Sequence, residues 1–231
     1  MTRKLAARLM AWLNLPKRLA GRAYRALVVR QFASVGKNFA FDVWTDSLPT
    51  PELTHVGNDV FFNRGVHLSG HVHIHDNVML GPRVSILAGN HLFGLKGKTV
   101  RHARMTPENP ERNDVTIIDA DAWIGANSTV LGGLTVGAGA VVGAASVVTK
   151  DIPPYTVAVG NPCRPIRRIF DDATLVEHLR AIGYDETSAH AVLRRRQHAL
   201  VGQTLNVIDH TAELDRETYY YRGEIQHPKA A

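Results

Sequence analysis

Thirty residues, "IGANSTVLGGLTVGAGAVVGAASVVTKDIP" (124–153), decide how the rest of the chain is read. Ile124, Val130, Val136, Val142 and Val148 stand six residues apart, and Gly125, Gly137 and Gly143 each directly follow such an aliphatic. A period of six fits neither the 3.6-residue helical repeat nor the two-residue alternation of a long strand. It fits a solenoid of short strands and turns, with each aliphatic pointing inward and glycine following where the backbone must crowd or bend.

The same step runs upstream through Val56, Phe62, Leu68, Ile74, Leu80 and Ile86, stops, and resumes at Ile118. The interruption, about residues 92–115, is too long for a coil corner, and Gly94, Gly97, Pro107 and Pro110 argue against a hidden helix or strand. Loops of this length inside compact domains are usually functional or disordered. His55, His73 and His91 are successively eighteen residues, or three hexads, apart, and the break follows immediately after His91.

Two other segments flank the repeat. Residues 1–37 carry Arg3, Lys4, Arg8, Lys17, Arg18, Arg22, Arg25, Arg30 and Lys37 and no acidic residue. Leu5, Leu9, Trp12, Leu13 and Leu19 recur at roughly helical spacing, with Pro16 expected to kink or divide the helix. This basic amphipathic segment suits either packing on the rest of the protein or peripheral contact with an anionic membrane surface. Beyond residue 170, Asp171 or Asp172 is placed to cap a helix from near Ala173 to Gly183, and a second helix is expected over 187–200. The reading is therefore a basic helical segment (1–37), a β-solenoid (38–169) and a helical extension (170–231) that caps the open end.

Composition sets outer limits. With 27 Lys+Arg against 21 Asp+Glu the formal charge is +6, which suits an anionic ligand without naming one. Cys163 is the only cysteine, so an intrachain disulfide and a multi-cysteine zinc site are excluded, and a reducing cytoplasm fits best. No apolar run approaches the roughly 20 residues that span a bilayer, and neither a signal peptide nor a nucleic-acid-binding motif is evident.

The stretch 124–153 resembles the hexapeptide repeat of the left-handed parallel β-helix, in which three hexapeptides make one coil of a triangular prism. The resemblance extends over roughly residues 56–170 and is to sugar, polysaccharide and xenobiotic O-acetyltransferases of that family. It implies a mainly β fold, a homotrimer with active sites between neighbours, and acetyl-CoA as the acetyl donor without a metal. "IHDNVMLGPRVSILAGNH" (74–91) resembles the family segment that ends in the catalytic histidine, here His91. An imidazole with an ordinary pKa near 6.5 suits a general base that deprotonates an acceptor hydroxyl.

"ADAWIGANSTVLGG" (120–133) and "VVGAASVVTKDIPPYTVAVGNPCRPIRRI" (141–169) are similar to the coenzyme half of galactoside and maltose acetyltransferases. By that resemblance Trp123 flanks the pantetheine arm, and Ala126 and Ala144 let its amides approach the turns. Thr149, Lys150, Arg164 and Arg167 meet the adenine and phosphate end, where cationic side chains suit the charge. Ala126 stands where some relatives carry serine, which leaves backbone N–H groups to stabilise the oxyanion. Cys163, inside "NPCR", is expected to be structural. In "FFNRG" (61–65), Asn63 falls near where related enzymes present a polar residue to the sugar.

The acceptor stays open between a sugar or polysaccharide-precursor hydroxyl and a xenobiotic, because "FDDATLVEHL" (170–179) resembles the helical tail of streptogramin-type enzymes. Gamma-class carbonic anhydrases share the fold and bind zinc through three histidines at subunit interfaces, two of them separated by four residues. His67, His71, His73 and His75 do not reproduce that pattern. A non-catalytic scaffold is the remaining alternative.

Overall fold

Each hexad lays down one short strand, because its buried aliphatic anchors the wall and its turn residues end it. The computed structural model describes residues 15–88, 94–103 and 115–208. Among the described residues seven strands precede the loop: β1 (Ser34–Val35), β2 (Thr54–Val56), β3 (Phe61–Phe62), β4 (His67–Ser69), β5 (Val72–Ile74), β6 (Met79–Leu80) and β7 (Ser85–Leu87). After it the hexads lay down β8 (Thr116–Ile118), β9 (Trp123–Ile124), β10 (Thr129–Leu131), β11 (Thr135–Val136), β12 (Val141–Val142) and β13 (Val147–Val148). They stack into three parallel walls of a prism. β1 (Ser34–Val35), β2, β5, β8 and β11 form the first, and β4, β7, β10 and β13 the second. In the third, β3, β6, β9 and β12 are continued by β14 (Thr156–Val159), β15 (Arg164–Arg168) and β16 (Asn206–Val207). Ser34 and Val35 pair with His55 and Val56, so the first rung is laid before the expected boundary at residue 38.

The expected inward aliphatics are buried, from Val56 through Ile86 and from Ile118 to Val148. A second inward column, two residues ahead of the first, also fills the prism. Val60, Val66, Val72, Val78 and Val84 are fully buried before the loop, and Thr116, Ala122, Ser128, Ala140 and Ser146 occupy the equivalent column after it. The buried hydroxyls are satisfied locally: Ser128 and Ser146 both donate to the Gly143 carbonyl, at 3.0 and 2.6 Å. Coils stack too closely for side chains at some turns. A Cβ on Gly125 would lie 2.6 Å from the Ala144 nitrogen, inside van der Waals contact, so glycine is obligatory there.

The extruded loop adds no rung. The chain leaves the coil after Ala88, whose N–H donates to Ser69 O at 2.7 Å, and returns at Thr116, whose N–H donates to His71 O at 2.9 Å. His73 therefore faces Ile117 in the first wall, and the eighteen-residue count that set His91 above it fails, because the loop absorbs the count without advancing the stack. His91 itself lies outside the described residues.

Helix α1 is described over Leu15–Val29 with Pro16 in its first described turn, and the expected helical positions Leu5, Leu9, Trp12 and Leu13 lie outside the described residues. The helix lies on the first coil. Arg25 donates to Phe41 O and covers the Phe41 ring at 5.1 Å, Tyr24 stacks on Trp44 at 5.8 Å, and Val28 and Val29 pack against the core. At the other end β15 runs antiparallel to β14 and breaks the parallel stacking. Asp171 caps helix α2 (Asp172–Ala181) by accepting from Thr174 N, and Asp185 caps α3 (Glu186–Ala199) by accepting from Ser188 N. Leu175, Leu179, Ala189 and Val192 close over Ala138 and Tyr155 of the last coils. Arg195 of α3 reaches Asp119 at 3.1 Å, tying the extension to the prism.

Candidate active site

The turns joining the third wall to the second read Gly81-Pro82-Arg83, Gly125-Ala126-Asn127 and Gly143-Ala144-Ala145. Arg83, Asn127 and Ala145 each take a positive φ of 56–59°, so the three turns repeat one conformation and superpose along a prism edge. Small residues on that edge, beside the exposed faces of the third wall, leave a groove of about 450 Å³. Its lining includes Asn63, Met79, Pro82, Trp123, Ala126 and Ala144. Trp123 pairs with Met79 on one side and Val141 on the other and remains 48% exposed, its indole standing over the wall.

One straight column of outward residues runs Phe61, Met79, Trp123, Val141, Val157 and Arg167. Trp123 and Arg167 are three rungs apart, about 14 Å at strand spacing. Arg164 pairs with Val159, whose side chain crowds Gly143, so it closes the same edge next to the Ala144 turn. Beyond the aromatic and apolar groove, the same wall thus continues to two exposed arginines. At the groove's other end Phe61 and Asn63 are shared with a hollow of about 980 Å³ walled by α1, Phe41 to Trp44 and Arg64. The Asn63 carboxamide oxygen accepts from Arg64 N at 2.8 Å, which fixes the side chain at this junction.

Six of the expected residues therefore share one edge and wall: Asn63, Trp123, Ala126, Ala144, Arg164 and Arg167. Thr149 and Lys150 do not join them. They follow β13 on the next edge, where the second wall turns into the first, five residues beyond Ala144. That is on the order of 16 Å along a strand. Ala88, from which the extruded loop departs toward His91, lies on this second edge, and a Cβ on Gly132 of the next coil would touch it at 3.0 Å. Cys163 is buried, and burial pushes its thiol up from the ordinary range, opposed by Ser146 and Arg164, so a nucleophilic thiolate is disfavoured.

Phe61, Met79, Pro82 and Val141 line the groove without having been singled out from the sequence. The signal was present: Phe61 and Met79, and again Trp123 and Val141, are eighteen residues apart and one residue ahead of an inward aliphatic. An inward-looking hexad count passes over them.

Compared with models of known protein families, the chain matches none. Among curated proteins, galactoside O-acetyltransferase of Escherichia coli is 34% identical over 149 residues, spanning 63% of this chain and 68% of that protein. The chain belongs to the hexapeptide-repeat acetyltransferases. A maltose O-acetyltransferase of Clostridium difficile matches with a TM-score of 0.55 and 34% identity, over 64% of this chain and 75% of the other. A hexapeptide-repeat acetyltransferase of Vibrio cholerae, solved with acetyl-CoA, matches with a TM-score of 0.55 and 29% identity, over 73% and 87%. The chain spans less than half the length of the first curated relatives it matches. Membership agrees with the expected left-handed prism. Among the described residues no helix is long and apolar enough to cross a membrane.

Proposed function

We propose that this hexapeptide-repeat protein is an acetyl-CoA-dependent O-acetyltransferase that acts on a hydroxyl of a sugar or polysaccharide precursor. The observation that carries the reading is the groove along the Gly-Ala turns, apolar around Trp123 and open at Asn63 into a second hollow, on a wall that continues beyond the groove to Arg164 and Arg167 of β15. A flexible pantetheine arm suits the narrow middle, and its phosphates suit the arginines. The hollow beyond Asn63, with Arg25, Trp44 and Arg64 in its wall, receives the acceptor.

His91 is the general base. It takes the proton of the acceptor hydroxyl while that oxygen attacks the thioester carbonyl; the tetrahedral intermediate collapses, the C–S bond breaks, and the imidazolium returns the proton to the leaving thiolate. No acyl-enzyme forms. Because Trp123 and Ala144 stand on one edge while Thr149, Lys150 and the departure point of the loop stand on the next, each complete site takes one edge from each of two neighbours in a homotrimer. The basic N-terminal helical segment, residues 1–37, contributes peripheral contact with an anionic cytoplasmic membrane face.

Isothermal titration with acetyl-CoA tests the coenzyme half. Saturable binding weakened by Arg164→Ala and by Lys150→Ala is expected; binding indifferent to both, or absent, refutes the assignment. His91→Ala should still bind acetyl-CoA but transfer acetyl to sugar acceptors about 10²–10⁴-fold more slowly. Transfer by that variant at the wild-type rate removes His91 from the chemistry.

A further inference from the structure

We propose that His55, His71 and His73 form a three-imidazole site for a first-row divalent metal ion, zinc being the best match, on the first wall of the prism. The site is separate from the coenzyme groove, which runs along the third wall. One ligand nitrogen from each ring lies within 4.8 Å of the other two. The ring centroids of His55 and His73 are 4.5 Å apart, and those of His71 and His73 are 5.4 Å apart.

Strand register explains the gathering. His55 of β2 and His73 of β5 are direct neighbours in the parallel ladder, so both rings project from the same face one rung apart. His71 precedes β5 at the corner, where the backbone is not bound to strand alternation, and its ring folds back beside the other two. Two nitrogens bound at about 2.05 Å in tetrahedral geometry stand about 3.4 Å apart. The trio therefore closes on an ion by a shift of roughly 1.4 Å, within reach of half-buried side chains turning about their own bonds.

A supporting contact is already built. Ser34 Oγ lies 2.9 Å from His55 Nδ1. With the serine oxygen accepting from Nδ1–H, the lone pair is left on Nε2, the arrangement that orients a histidine for metal. Above the trio the ladder continues with Ile117, which supplies no competing ligand and shields one side from water. Three imidazoles and no carboxylate among the ligands suit zinc, nickel or copper and disfavour calcium and magnesium. An ion here pins β2 to β5 strand to strand, adding to the backbone ladder and to the hydrogen bonds from Asn58 to the Asp76 carboxylate in the turns that follow the two strands.

The test uses untagged full-length protein, stripped with chelator and then titrated with cobalt(II) or zinc(II). One equivalent of cobalt per chain should bind with the intense visible absorption of low-coordinate imidazole ligation, and zinc should displace it and raise the melting temperature. His71→Ala and His73→Ala should each weaken binding by more than tenfold, and Ser34→Ala by about tenfold. His67→Ala, on another wall, should bind as wild type does. Circular dichroism separates lost ligation from lost fold, and His71, outside any strand, is the variant least able to disturb the ladder. Absence of binding by both ions overturns the proposal. So does affinity retained in the His71→Ala/His73→Ala double variant, which would assign the ion to histidines elsewhere among the 12 in the chain.

Discussion

Replacing Trp123 by alanine tests the groove at its middle, and the structure sets the size of the effect. Trp123 is 48% exposed, and a tryptophan offers on the order of 250 Å², so about 120 Å² of indole is open to a ligand. A pantetheine arm lying along the groove covers one flank of the ring, about 60 Å². At about 25 cal/mol per Å² that contact contributes about 1.5 kcal/mol, or roughly tenfold in affinity. Trp123→Ala should therefore bind acetyl-CoA about tenfold more weakly by isothermal titration, with the circular dichroism spectrum and melting temperature nearly unchanged, because the lost ring is not core. Val201→Ala, which removes a side chain 77% exposed beyond α3, is the matched control and should bind normally. An affinity for Trp123→Ala within about twofold of wild type would mean that the arm does not lie on this column. A variant that unfolds would mean instead that the indole packs within an assembly, and analytical ultracentrifugation would show the loss.

Ala144→Phe should fill the groove and abolish detectable acetyl-CoA binding while the protein stays folded, since position 144 is exposed at a turn; normal binding would place the coenzyme elsewhere. Gly125→Ala puts a methyl 2.6 Å from a backbone nitrogen that has no rotamer to yield. It should cost about 1–3 kcal/mol in denaturant unfolding, and an unchanged midpoint would refute the stacking argument. Arg196, buried against Asp172 and the Phe170 carbonyl, is the ion-pair test. Burial alone raises the Asp172 pKa, but donors from Gln197 and Arg196 outweigh it and hold the carboxyl below its ordinary value. The stabilisation is therefore present above about pH 4, near the unfolded carboxylate pKa, and is lost as pH falls through the lower folded value. Asp172→Asn should lower the melting temperature at pH 7 and leave a smaller difference from wild type near pH 2; a difference independent of pH would contradict the pairing.

The fold was legible because the hexad is a local rule. An aliphatic every six residues admits one way of burying them all, and Asp171 and Asp185 announce their helices through short-range capping. Trp123, Ala126 and Ala144 were legible only through the resemblance of 120–133 and 141–169 to the coenzyme half of galactoside and maltose acetyltransferases, not through the repeat. Phe61 and Met79 were missed because outward positions carry no burial constraint and no residue-type signature of their own.

By itself the sequence determined the repeat, the first of its two core columns, the interruption after residue 91 and the two helices that follow residue 170, since each follows from spacing within about six residues along the chain. The tertiary structure alone decided which distant residues share a rung, because an extruded loop of any length leaves the stack in step. That register set Ile117 rather than His91 above His73, brought His71 beside the pair, and divided Trp123 and Ala144 from Thr149 and Lys150 across two edges of the prism.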